Sequence, residues 1–354
     1  MSNSLNVISF FHGSTIREAA RRPIVTYDLH GSHQVPCTMD IVDRFEQTEK
    51  ALGDRFEATL SATGPGARGE FKIVADANPE EIDSPETPKN GHGEHTIESM
   101  SQHIVDNWKE DAYNLVHVRA HGHAHEDVMG MPTKDFLAAL DKAGKKVGRP
   151  IGTVLLESCL MGSFEVLNGM SGSVGSVIAS QEVLNAKALP HQAMFTSALN
   201  GEMEPREVAS RMMEAAREHG TADTLIAVEP AKLGAVEKAL GSLKEELDSR
   251  SSEDRSFRKK AAKTLKSSAH FPRRGVETGY RRKLDLRDLG ELSQAFASEE
   301  FGPEVTESSK NLEKAFKGAV IDVVRGPGYE SASGLSVQGS SVMEKQGFSF
   351  FGLF

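Results

Sequence analysis

The chain has 354 residues, 38% hydrophobic and 26% charged, with a formal net charge of −10. That balance suits a globular fold with a substantial core and disfavours non-specific binding to nucleic acid. No stretch approaches the roughly 18 apolar residues of a membrane span, and the opening MSNSLNVISFFHGST lacks the basic segment and apolar core of a signal peptide, so a cytoplasmic protein, or one exported by a leaderless route, is expected.

Two cysteines, Cys37 and Cys159, cannot staple a chain of this length. Cys37, in the polar stretch HQVPCTMD, reads as an inert thiol. The 13 histidines include no HExxH pairing, and HGHAH at 121–125 has no carboxylate or thiol at ligand spacing. No metal and no other cofactor is expected.

In chain order, residues 1–20 read as a weakly structured N-terminal segment. PIVTYDL (23–29) and GEFKIVAD (69–76) read as strands, with EQTEKALGDR between them as a helix end. The proline-bearing stretch 77–96 reads as a surface loop. Thr96 opens a helix whose Ile97, Met100, Ile104 and Trp108 share a face. NLVHVRA (114–120) is a strand running into His121-Gly122. Lys134 to Lys146 is a helix, and IGTVLL (151–156) a strand ending at Glu157-Ser158-Cys159. A helix begins at Phe164, and VGSVIA (174–179) is a strand ending at Ser180-Gln181-Glu182. After a short strand at 225–228, a helix carries Leu233, Val236, Leu240, Leu243 and Leu247 at helical spacing.

From Arg250 to Lys283 the chain carries 12 Lys/Arg and three acids, a local charge of +9. This window reads as a basic surface insertion, an exposed helix end plus loop. Beyond it come LDLRDLGELSQAF (284–296), a helix over 305–317, the strand AVIDVV (319–324), GLSVQGS (334–340) and a tail over 341–354. Alternating strands and helices predict an α/β fold with a mostly parallel sheet, one domain spanning 21–340.

Three of these strands end in turn at His121-Gly122, at Glu157-Ser158-Cys159 and at Ser180-Gln181-Glu182. Sites in open α/β sheets form beyond the carboxyl ends of the strands, so a histidine, a thiol and an acid are expected at one rim. A thiol is mostly protonated at pH 7 and needs a base or a lowered pKa to attack a carbonyl. His121 would be that base, and the dipole of the helix in LMGSFEVL would favour the Cys159 thiolate. The N–H groups of Gly122 and Cys159 are candidate oxyanion donors.

The same residues carry a family resemblance. VHVRAHG followed by LLESCLMGSFEVL resembles the His-Gly and nucleophile blocks of clostripain-like cysteine peptidases, in the clan of caspases, gingipains, legumain and separase. EHTIESMSQHIVDNWKEDAYNLVHV, IASQE, TLIAVEPAKLGAVEKAL, KLDLRDLGEL and GLSVQG resemble further blocks in order, from about residue 94 to 340. The resemblance implies a caspase-like three-layer α/β/α sandwich and an endopeptidase with a Cys159–His121 dyad. It also implies a pocket for Arg or Lys lined by Glu157, Ser180 and Glu182. The family usually has Asp where this chain has Glu157, and the segment after IASQE reads VLNAKALPHQAMF in place of a Pro/Gly- and aromatic-rich one. Self-cleavage is expected in the basic window, and calcium enters only through its use by some relatives. Protein or peptide substrates, a monomeric state and no nucleic-acid or membrane partner complete the expectation. A catalytically silent scaffold, and an esterase or transpeptidase with the same dyad, are the alternatives.

Overall fold

A computed structural model describes residues 4–12, 38–64, 67–73, 95–185, 188–273 and 284–342. Cys37, the strand expected at 23–29, most of the loop 77–96 and the tail beyond 342 lie outside the described residues.

The first described element corrects the expectation for the N-terminus. Leu5–His12 is a strand, β1, with Leu5, Val7, Ile8 and Phe10 buried. Its side chains supply both faces of a buried sheet, and the buried Asn6 and Ser9 interrupt its apolar run, so it carries little alternation to read. Helix α1 (Thr38–Leu52) leads to β2 (Phe56–Gly64) and β3 (Ala67–Ile73). Helix α2 (Ile97–Asp106) starts at Thr96, whose hydroxyl accepts from the Ser99 N–H in a reciprocal capping box. Then follow β4 (Tyr113–Arg119), a hairpin of β5 (Asp127–Val128) and β6 (Met131–Pro132), α3 (Thr133–Val147) and β7 (Ile151–Glu157). The short α4 (Phe164–Asn168) precedes β8 (Val174–Ala179), α5 (His191–Ala198), α6 (Pro205–His219) and β9 (Thr224–Val228).

The five leucine and valine positions read at helical spacing are all buried on α7 (Leu233–Glu253). The expectation of a basic surface insertion needs correcting for α8 (Arg255–Ser267). Its polar face carries the basic residues, but Phe257, Ala261 and Leu265 are buried. Three apolar residues at a spacing of four pin a helix to the core however charged its other side is. The chain ends in β10 (His270–Phe271), β11 (Leu286–Asp288), α9 (Leu289–Phe296), α10 (Pro303–Ala319), β12 (Val320–Arg325), β13 (Ser336–Gln338) and α11 (Gly339–Val342).

Eight strands form one sheet in the order β12-β9-β8-β7-β4-β1-β2-β3. The central run β2-β1-β4-β7-β8 is parallel, and β3, β9 and β12 add antiparallel edges. One face packs Val116, Val118, Val154 and Leu156 against α2, α3, α7 and α10. The other packs Leu115, Leu155 and Ile178 against α1, α5 and α6. This is the α/β/α sandwich. A second sheet, β10-β11-β13, closes over the rim where β4, β7 and β8 end.

Candidate active site

β4, β7 and β8 are parallel neighbours, so their carboxyl ends open on one edge. Beyond β4 the chain turns back through residues 121–129. The Met129 N–H donates to His121 O and the His123 N–H to Asp127 O, which fixes the turn. Gly122 bridges Val128 between these two bonds, so its own N–H points away from that partner. A Cβ at Gly122 would lie 2.7 Å from Cys159 O and 2.9 Å from Met161 Sδ. Glycine is therefore needed for the two strand-end turns to touch backbone to backbone. His121 is exposed at this contact, and Cys159 is half-buried.

The Cys159 thiol is held from the β8 side. The Leu184 N–H donates to Sγ at 3.4 Å, and the Leu160 N–H after it donates to Glu182 O. Cys159 also packs on a small apolar cluster of Ala124, Leu160, Phe271, Leu284, Leu286, Tyr329 and Ala332. Burial pushes the thiol up from its ordinary value; the Leu184 N–H pulls it back and the Glu182 charge adds to the rise. The expected helix dipole does not act here, because α4 starts at Phe164 and has only five residues. In this conformation Cys159 is a neutral thiol at pH 7.

The three residues expected to line a basic-residue pocket are all buried and engaged. Ser180 donates to Thr224 O at 2.8 Å. Glu182 Oε1 accepts from the Val183 N–H at 2.8 Å, and Oε2 accepts from the Arg273 N–H at 2.6 Å and the Tyr329 hydroxyl at 3.0 Å. Burial raises the Glu182 carboxyl, and these bonds offset part of the rise. Gln181, between them, donates to Asp288 and accepts from the Gly334 N–H, tying the rim to the second sheet.

Glu157 lies on the α1/α5 face among residues that sequence reading did not single out. Its Oε2 takes His117 Nε2 at 3.0 Å and His191 Nε2 at 2.9 Å. Arg44 Nη1 lies 3.0 Å from His191 Nδ1; a guanidinium only donates, so that nitrogen accepts and Nε2 carries the proton. Burial lowers His117 to about 4, so it is neutral at pH 7 and also donates to Glu157; its Nδ1 then accepts from Ser9 Oγ at 3.0 Å. Burial alone would raise the Glu157 carboxyl, but His191, the Arg119 guanidinium and the imidazole bonds outweigh it and hold it well below the usual carboxylate range. Arg119 Nη1 stands 3.6 Å from Oε1. The signal for this cluster was present in VHVRA, where His117 and Arg119 are two steps apart on an otherwise apolar strand.

His117, Glu157 and His191 also bring three ligand atoms within 4.8 Å of one another. Coordination through His191 Nε2 would require Nδ1–H to face the Arg44 donor, and Arg119 would repel a cation. The trio is wired as a carboxylate whose Oε2 accepts from two imidazole Nε2–H groups.

A sequence model of the clostripain family matches residues 89–324, two thirds of the chain, including both strand-end turns. The chain belongs to the clostripain family. It is thus a cysteine peptidase with a caspase-like fold. The fold resembles a secreted C11 cysteine protease from Bacteroides thetaiotaomicron, solved with an irreversible peptide inhibitor, at TM-score 0.62 and 12% identity, over 98% of this chain and 94% of that one. It also resembles an inactive zymogen C11 protease from Parabacteroides distasonis at TM-score 0.59 and 13% identity, over 94% and 91%. No curated protein matches the sequence. Among the described residues, no helix of this clostripain-family chain is long and apolar enough to cross a membrane.

Proposed function

We propose that the chain is an endopeptidase in which Cys159 is the nucleophile and His121 the general base and acid. The observation that carries this is the backbone contact of Gly122 with Cys159, which joins the His-Gly and cysteine turns at the ends of adjacent strands. In the reaction, Sγ attacks the peptide carbonyl and its proton passes to His121. The N–H groups of Gly122 and Cys159 would receive the oxyanion. The C–N bond breaks as His121 protonates the leaving amine, leaving a thioester. Water then attacks the thioester, again with His121 as base, and the carboxylate product leaves with Cys159 restored. Nucleophile and base both come from the chain, so no cofactor enters these steps. The substrates would be proteins or peptides, as the inhibitor held by the Bacteroides relative suggests.

The residue before the cut bond would be Arg or Lys. Glu157 supports this because it is ionised and Oε1 accepts no hydrogen bond among the described residues. A buried acceptor of that kind is completed by a cationic donor. Ser180 and Glu182, already engaged, would shape the wall of the pocket instead of contacting the cation.

The test is cleavage of a peptide library by the pure protein, read by mass spectrometry, with labelling by a lysyl acyloxymethyl ketone. Wild type should cut after basic residues and carry the label on Cys159. Cys159→Ala and His121→Ala should each lower kcat/KM by at least about 1,000-fold with the fold intact. Turnover by Cys159→Ala would end this reading, and absence of both label and cleavage would favour a silent scaffold.

A further inference from the structure

The basic-residue pocket of the proposed function has one feature that the reaction does not use. Arg119 and Glu157 are register partners on adjacent parallel strands, so both side chains project from the same face of the sheet. Arg119 is 5% exposed and Glu157 4%. The two carboxylate oxygens are unlike. Oε2 is taken by both imidazoles, whereas Oε1 faces the Arg119 guanidinium at 3.6 Å, too far for a hydrogen bond. The oxygen nearest Arg119 is therefore the one with acceptor capacity left, and a substrate cation would need that same oxygen.

We propose that Arg119 is a specificity-determining residue that stands in for the substrate's cation before substrate binds and competes with it for Glu157 Oε1. This rests on the reading of Glu157 as the basic-residue acceptor. Before substrate binds, Glu157 then faces Arg119 as a charge pair and not as a lone buried carboxylate. An arriving Lys or Arg side chain must share Oε1 with Arg119 or move it aside. Either way the preference for a basic over a neutral residue is weaker than a bare carboxylate would give. The competition acts on binding of the side chain before the scissile bond, so it appears in KM for basic substrates and leaves neutral ones untouched.

The experiment compares kcat and KM for three peptides differing only in Lys, Arg or Leu before the cut. The proteins are wild type, Arg119→Met, Arg119→Gln and Arg119→Lys. Arg119→Met should lower KM for the Lys and Arg peptides by about tenfold, the size of one charge-assisted hydrogen bond, with the Leu peptide unchanged. Arg119→Gln should move the same way, and it carries the comparison if the Met variant fails to fold. Arg119→Lys keeps the charge and should keep the wild-type ratio, which separates competition from packing. If wild type prefers basic peptides and the Met and Gln variants keep that ratio, or slow on all three peptides by one factor, the proposal is overturned alone. If Leu is cut as well as Lys by every protein, the basic-residue reading falls and takes this proposal with it.

Discussion

The contact between Gly122 and Cys159 leaves no room for a side chain. A Cβ there would meet Cys159 O at 2.7 Å, and a backbone carbonyl cannot swing aside as a side-chain tip can. Gly122→Ala should therefore push the two turns apart while the hydrophobic layers stay packed. A shift of about 1 Å in a reacting group lowers rates by about 100-fold, so a kcat/KM drop of that order in a folded protein with a lowered melting temperature is the expected result. Wild-type activity in Gly122→Ala would show that the two turns do not act together. The same residue scale accounts for the thiol. Burial holds Cys159 neutral here, so alkylation by iodoacetamide should be slow at pH 7 and climb steeply in alkaline solution. A fast, pH-independent rate between pH 6 and 8 would mean that the thiol is already ionised by a base.

At the scale of elements, the segment running into the basic window is tied to the nucleophile's surroundings. Phe271 of β10 is fully buried in the cluster that carries Cys159. The Arg273 N–H holds Glu182, and its guanidinium donates to Gly328 O and lies 5.1 Å from the ring centres of both Phe271 and Tyr329. Arg273-Arg274 and Arg281-Arg282-Lys283 are thus basic bonds close in sequence to a strand fixed beside the thiol. Prolonged incubation should cut wild type within 273–283 and leave Cys159→Ala intact. The fragments should stay together, because β10 pairs with β11 and β9 with β12 across the break. Equal cutting of both proteins would indicate a contaminating protease, and full activity without cutting would show that processing is not required. Much of this architecture could be read in advance. β4, β7 and β8 hold short apolar runs rich in β-branched residues that lead into His121-Gly122, Glu157-Ser158-Cys159 and Ser180-Gln181-Glu182, and α7 repeats its leucines at helical spacing, so the site-bearing strands and the main helix were legible. β1 was not, because the buried polar side chains of Asn6 and Ser9 break up its apolar run. The packing of α8 was hidden by its charge. The burial of Glu157, Ser180 and Glu182 depends on His191, Arg273 and Tyr329, between 34 and 147 residues away in the chain, and no local pattern announces such partners.

At the scale of the whole molecule, the buried polar cluster ties stability to pH. His117 is enclosed by Ser9 of β1, Phe45 of α1, Arg119 of β4, Glu157 of β7 and His191 of α5. Burial lowers its pKa from 6.5 to about 4. Between those values the unfolded chain takes up a proton that the folded chain refuses, so stability falls as pH drops from 6.5 to 4. A shift of that size is worth about 3 kcal/mol at its lower end. Glu157 acts in the same direction at lower pH, since its carboxyl is held well below 4.5 when folded and its contribution is lost as pH falls. Glu182 and Asp288 oppose the trend, because burial raises both carboxyls and the folded state then binds protons more readily than the unfolded one. The total slope mixes these contributions, so the informative quantity is the difference between wild type and His117→Asn. Urea denaturation at pH 7.5, 5.5 and 4.5 should show the variant less stable at pH 7.5, where its hydrogen bonds are weakened, yet losing less than wild type on acidification. Parallel pH dependences in the two proteins would mean that His117 titrates normally in the fold and that its imidazole does not hold Glu157 in the neutral form described.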